Sequence, residues 1–232
     1  MTKYNHQRNT SIGSTVREVV FGVEDGMVST LGAITGIAIG SQDHFTVILA
    51  GTVIIAVESI SMGIGSYLAN SSERDINQRR IAEEKEEIHE YPKEEKAELE
   101  QLFIRDGWPA RFANEMSRTA SQDKKLMLKE MAYRELSIAR GSSISPLKNA
   151  VFMYFSYIVG GLIPLCAYFF LTVPRAMPVS IIVTLAGLFV LGVATTKYTK
   201  GSWFKAGIRI LTLGAIALAV GFIVGEIAAL LN

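Results

Sequence analysis

Phe21 to Gly40 reads FGVEDGMVSTLGAITGIAIG, an apolar run of membrane-spanning character that carries Glu24 and Asp25 inside it. A carboxylate at bilayer depth costs at least about 2.5 kcal/mol even on lenient insertion scales, so an intramembrane acid marks a candidate functional site. Gly32, Gly36 and Gly40 recur every fourth residue, the pattern that lets two helix backbones approach closely in a membrane. Followed back by helical spacing, that face runs Gly36, Gly32, Ser29, Asp25, so Asp25 lies on the close-packing seam and Glu24 does not.

The surrounding chain has 232 residues, 49% of them hydrophobic, and a formal net charge of +1 that hides a strong segregation. Of 22 acids, only Glu18, Glu24, Asp25, Asp43, Glu58 and Glu226 lie outside residues 71–147. This composition predicts several membrane spans and one polar insert. No basic tail suited to nucleic acid is present, and the single cysteine, Cys166, reads as a small apolar residue. The N-terminal MTKYNHQRNTSIGS has neither the apolar core of a signal peptide nor the Arg-rich look of a transit peptide, so targeting is expected to come from the spans.

Five segments meet the need for about 20 apolar residues: 15–41, 45–69, 149–171, 179–197 and 204–231. Gln42-Asp43-His44 and the proline-bearing stretch 172–178 read as turns. Lys197, Lys200, Lys205 and Arg209 flank the fourth loop, and Lys3, Arg8 and Arg17 the N-terminus, which places those ends in the cytosol. The fold class is therefore all-α, a polytopic membrane protein of five transmembrane helices. Residues 1–70 hold the N-terminal tail and the first two spans, 71–147 a helical cytosolic metal-binding domain, and 148–232 the last three spans, with the C-terminus outside.

The first span runs outward past Asp25 and the second returns past Glu58 and Met62 before ending near Ala69, which puts Asp25 and Met62 at similar depth. Glu58 and Met62, four apart, share a face in the Ser- and Gly-rich VESISMGIGSYLA. In the polar insert, Pro92 stops a charged helix and Asp106-Gly107-Trp108-Pro109 ends a second; two more follow, near 109–119 and 122–140. Glu83, Glu87 and Glu90 share one face, Glu84 and Glu87 form a further pair, and Glu95 and Glu98 repeat the spacing after Pro92. Folding back at Pro92 would gather these faces into an oxygen-rich metal site; the alternative is a solvated, salt-bridged surface with Lys85, Arg79 and Arg80. Glu86 and His89 make one Glu-x-x-His unit without the second copy a di-iron site needs.

FGVEDGMVSTLGAITGI on the first span, ISMGIGSYLANSSE ending the second, the Glu-rich region broken by a proline, MAYRELSI and GGLIPL resemble the vacuolar iron transporter family, from about Val16 to the C-terminus. The resemblance implies a five-span homodimer that moves Fe²⁺ out of the cytosol in exchange for protons, and no enzyme. It implies that Asp25 and Met62 line the path, and that Glu84, Glu87, Glu95, Glu98, Met131 and Glu135 bind metal on the cytosolic side. Plant-type members carry a second-span Glu two turns before the Met, where this chain has Ile54; Glu58, one turn before Met62, is the expected substitute.

Carboxylate oxygen with thioether sulfur suits Fe²⁺ better than Ca²⁺ or Mg²⁺, with Mn²⁺, Co²⁺ and Zn²⁺ also open. The metal is substrate, and no catalytic cofactor is expected. Five spans are few to enclose a path, so the Gly32/Gly36/Gly40 seam is expected to form a homodimer contact through the first helix. Competing readings are a membrane-anchored metal sensor or ferroxidase acting through 71–147, and a passive cation channel. The short N-terminus favours a prokaryotic plasma membrane, with a eukaryotic vacuolar membrane as the alternative.

Overall fold

The structure is a computed structural model that describes residues 10–138, 145–199 and 201–230. Among the described residues eight helices follow one another: α1 (Thr10–Ser41), α2 (His44–Glu90), α3 (Pro92–Arg105), α4 (Ala110–Ala120), α5 (Lys124–Arg134), α6 (Pro146–Phe170), α7 (Val173–Thr199) and α8 (Trp203–Leu230). No strand occurs among the described residues. The described residues divide into two compact units, one formed by residues 12–68 with 145–199 and 201–230, the other by residues 69–138.

Among the described residues four helices, α2, α6, α7 and α8, are long and apolar enough to cross a membrane. The sequence reading expects five; α1 is not among the four, because Glu24 and Asp25 lower the apolar character of a helix otherwise long enough. Its place in the first unit is central all the same. Met27, Thr30, Leu31, Ile34, Thr35 and Ala38 of α1 are each at most 1% exposed. The large apolar side chains of α2, α7 and α8, such as Val53, Val57, Ile182, Val190, Ile216 and Ile223, stand exposed as a lipid-facing surface would require.

Small residues set the packing around α1. A Cβ on Gly22 would lie 2.8 Å from the Ser156 Cβ of α6, and one on Gly26 would collide with the Tyr157 carbonyl oxygen. The Gly160-Gly161 pair of α6 meets Val23 and Thr30 in return. On the other side, a Cβ on Gly32 would lie 2.9 Å from Ala217 O and one on Gly36 2.7 Å from Gly221 O, both on α8.

This corrects the expected role of the glycine seam. The face predicted to meet a second copy meets α8 of the same chain, because α8 carries a matching series, Ala217, Gly221, Gly225 and Ala228, on its own face. A groove of about 720 Å³ runs along the α1/α8 contact, from Ser29 to Ser41 on one wall and Ala217 to Ala228 on the other.

Two element boundaries also differ. The turn expected over 172–178 shrinks to Leu171-Thr172, and α7 starts at Val173 with Pro178 inside it. Pro174 costs nothing in the first turn, where its missing N–H would have no helical partner, and Arg175 and Ala176 both donate to Thr172 O. Pro164 likewise sits inside α6, where its own carbonyl accepts from the buried Ser180 hydroxyl of α7 at 2.7 Å, tying the two helices together. The helix expected over 122–140 stops at Arg134, and Ser137 adopts a positive φ of 55°; Arg140 lies outside the described residues.

In the second unit, Pro92 at the first turn of α3 starts a new helix with Glu94 and Glu95 at its positive end and Arg105 at its negative end. Gly107, at φ 95°, makes the tight exit from α3 that a side chain would strain. Ile88, Leu99, Phe103, Ala113, Met127 and Met131 form the core that packs α2 to α5. Arg134 bridges that core to its surface: its guanidinium lies 4.2 Å from the Phe103 ring centroid and pairs with Asp106, fixing the end of α5 against α3.

Candidate functional site

The membrane unit places Asp25 half-buried on α1, Glu58 exposed on α2, and Met62 half-buried one turn beyond it. The Asp25 and Glu58 carboxylates lie within electrostatic reach of each other, as the face arithmetic requires. Glu24 lies within electrostatic reach of Asp25 and of the Arg209 guanidinium of α8.

Two residues here escaped the sequence reading. Tyr157 of α6 is fully buried, and its hydroxyl is 2.6 Å from Ser29 Oγ, within reach of both Asp25 and Glu58. Ser29 in turn donates to the Asp25 carbonyl at 2.7 Å. Glu18, 5% exposed, accepts from the Ser66 hydroxyl at 2.9 Å and pairs with Arg17 at 3.2 Å. Its signal was available: Glu18, Gly22, Asp25 and Ser29 follow one another on a single helical face.

In the second unit, Glu84 on α2 is 2% exposed and Glu95 on α3 is 8% exposed, while Glu87, Glu98 and Glu135 stand at the surface. Glu84 lies within electrostatic reach of Glu135, Glu95 and Glu87, and Glu95 within reach of Glu98, Glu87 and Glu135. Met131 is fully buried one turn before Glu135. Burial, and then the charge of and hydrogen bond to Glu135, push Glu84 up to about 8 from an ordinary 4.5; Glu95 is also raised, by burial first and then by Glu98. One Glu84 oxygen, Oε1, is buried without a hydrogen-bond partner, an energetically costly state that a cation would relieve. Among the described residues no three acid, histidine or cysteine side chains stand close enough together to hold an ion as they are.

Glu83 pairs with Arg79 at 2.7 Å, an exposed i,i+4 contact on the face it shares with Glu87. His89 contacts the Lys124 ammonium through Nδ1 at 2.8 Å.

A helical bundle with a lipid-facing apolar surface, a central helix bearing acids, and a separate carboxylate cluster define an integral membrane protein built to handle cations. Comparison with known proteins is specific. The family model described as VIT family matches residues 16–226. The chain is 32% identical over 211 residues to vacuolar iron transporter 1 of Eucalyptus grandis, covering 90% of this chain and 85% of that protein. It is 30% identical over 217 residues to vacuolar iron transporter 2 of Oryza sativa subsp. japonica (93% and 88%), and 28% identical over 227 residues to vacuolar iron transporter 1 of Arabidopsis thaliana (97% and 90%). The chain belongs to the VIT family.

Proposed function

We propose that this protein is a secondary transporter carrying Fe²⁺ out of the cytosol in exchange for protons, with Mn²⁺, Co²⁺ and Zn²⁺ as further candidate cargo. The observation that carries the reading is the placement of Asp25 and Glu58, two acids within reach of each other on helices of the membrane unit. A mere anchor has no use for such a pair, which costs stability in lipid.

In this reading α1 is the fifth span, supported by its enclosure among four apolar helices. Residues 71–147 lie in the cytosol, where Glu84, Glu87, Glu95, Glu98, Met131 and Glu135 collect the ion. Asp25, Glu58 and Met62 carry it through the membrane, with carboxylate oxygen and thioether sulfur suiting a borderline metal. Metal and proton compete for the same carboxylates, so a site open alternately to the two sides exchanges one for the other. The relatives' names place them at a vacuole; the same outward direction would serve efflux at a plasma membrane.

The protein acts as a homodimer in this reading. Glu58 is exposed beside Val57 and Ile60, a charge on an otherwise lipid-facing surface, and a second copy against α2 would cover it.

The test is Fe²⁺ uptake by proteoliposomes of the purified protein, with and without a pH gradient. Gradient-dependent uptake that Asp25→Asn abolishes is the expected result. Uptake indifferent to the gradient would make the protein a channel, and metal binding without uptake would make it a sensor or ferroxidase.

A further inference from the structure

The site as read from the sequence consists of groups on α1 and α2 alone, yet the deepest polar contact to the Asp25 turn comes from α6. Tyr157 is 0% exposed, and its ring is locked where α1 and α6 touch backbone to backbone through Gly26 and Gly160. Ser29 has one proton, and it is committed to the Asp25 carbonyl at 2.7 Å. At the 2.6 Å contact between the two hydroxyls, Tyr157 must therefore be the donor and Ser29 the acceptor. The chain of bonds runs in one direction, from the α6 phenol through Ser29 to the backbone of Asp25. The Thr30 hydroxyl, also fully buried, lies beside it.

We propose that Tyr157 is a positioning residue of the translocation site: by donating to Ser29 it fixes the α1 turn that carries Asp25 against α6, and so sets where the Asp25 carboxylate stands. The inference rests on the transport reading above for its functional consequence, and on geometry alone for the bond. Tyr157 acts through Ser29, and the metal does not touch its hydroxyl. The Tyr157 end of the bond is buried and the Ser29 end partly so, and Ser29→Ala leaves the phenol without this partner inside the bundle. Misplacing a group at a reacting or binding centre lowers the rate of passage more than it changes initial capture.

The experiment is a double-mutant cycle in proteoliposomes with Tyr157→Phe, Ser29→Ala and the double variant, each assayed for Fe²⁺ uptake over a range of metal concentrations. Phenylalanine keeps the buried ring, and alanine removes the same bond from the other helix, so the two variants do not share a packing defect. Each single variant should lower the maximal rate about five- to tenfold, the worth of one side-chain hydrogen bond, while moving the half-saturating metal concentration less than about twofold. The double variant should be no slower than the slower single one.

Tyr157→Phe at the wild-type rate overturns the proposal, as do multiplicative losses. A raised half-saturating concentration in Tyr157→Phe alone, with Ser29→Ala unaffected, overturns it in favour of direct metal ligation. If the wild-type vesicles move no metal, the transport reading fails by itself. The same cycle read in the thermal midpoint of the detergent-purified protein then decides the positioning claim, since additive losses there show that the two hydroxyls do not act as a unit.

Discussion

Glu84→Gln should separate a metal-collecting carboxylate cluster from an ordinary acidic surface, because the two predict opposite signs. The native Glu84 holds its proton up to about pH 8, whereas in the unfolded chain it releases it near the ordinary 4.5. The fold therefore binds more protons than the unfolded state in that window, and its contribution to stability is full below about pH 4.5 and is lost as pH rises through about 8. Each tenfold change in proton affinity is worth about 1.4 kcal/mol, which bounds the loss at about 5 kcal/mol. Glu84 shares its site with Glu135, Glu95 and Glu87, so part of that loss belongs to its neighbours and about 2 to 3 kcal/mol is the expected effect of changing Glu84 alone. Glutamine keeps the shape, carries no charge, and can donate its amide to Glu135. In the absence of metal, Glu84→Gln should be more stable than wild type at about pH 8 and equal to it at about pH 5. Hydrogen exchange of the full-length protein in detergent, read over residues 77–105, measures this locally. Metal binding needs ionised acids, so Zn²⁺ or Fe²⁺ should protect the same segment in wild type increasingly with pH, and should protect the glutamine variant far less. A variant no more stable than wild type at pH 8, or one that metal protects fully, would refute the reasoning.

Two further expectations concern the membrane unit. Gly36→Leu should lower the thermal midpoint of the protein in detergent and abolish uptake, because its Cβ would lie 2.7 Å from Gly221 O of α8; unchanged stability and uptake would show that the α1/α8 seam is not formed. Val57→Cys, 59% exposed one residue from Glu58, should cross-link two copies in a background carrying Cys166→Ala, while Ile182→Cys on α7, 67% exposed, should not; the reverse pattern would place any second copy elsewhere.

The parts of this fold that sequence made legible are those fixed by short-range chemistry. Apolar runs define α2, α6, α7 and α8, and Pro92 and Gly107 punctuate the second unit, because a missing N–H or a positive φ acts within one turn. The acidic faces were also legible, since i,i+3 and i,i+4 spacing puts Glu84 with Glu87 and Glu95 with Glu98 wherever the helices go. What a face touches is a different matter. The Gly32/Gly36/Gly40 pattern says that some backbone comes close and is silent on which; only the matching Ala217/Gly221/Gly225 series assigns α8. Glu83 pairs with Arg79 at the surface, a choice of partner that spacing alone does not make. Tyr157 was invisible for the strongest reason: a lone tyrosine in an apolar helix carries no periodic signal, and its partner Ser29 lies 128 residues away.

The two acid clusters solve the same problem in different solvents. In the second unit the protein keeps Glu84 dry beside other carboxylates and lets it hold a proton, the proton that a divalent ion would displace in the proposed transport. In the membrane unit, glycines at 22 and 26 bring α1 so close to α6 that a tyrosine hydroxyl reaches the backbone turn bearing Asp25 through one serine. Larger residues there would hold the helices apart and leave Asp25 without that support. The glycines around Asp25 thus have two jobs that their spacing does not separate: those facing α8 build the bundle, and those facing α6 place the acid.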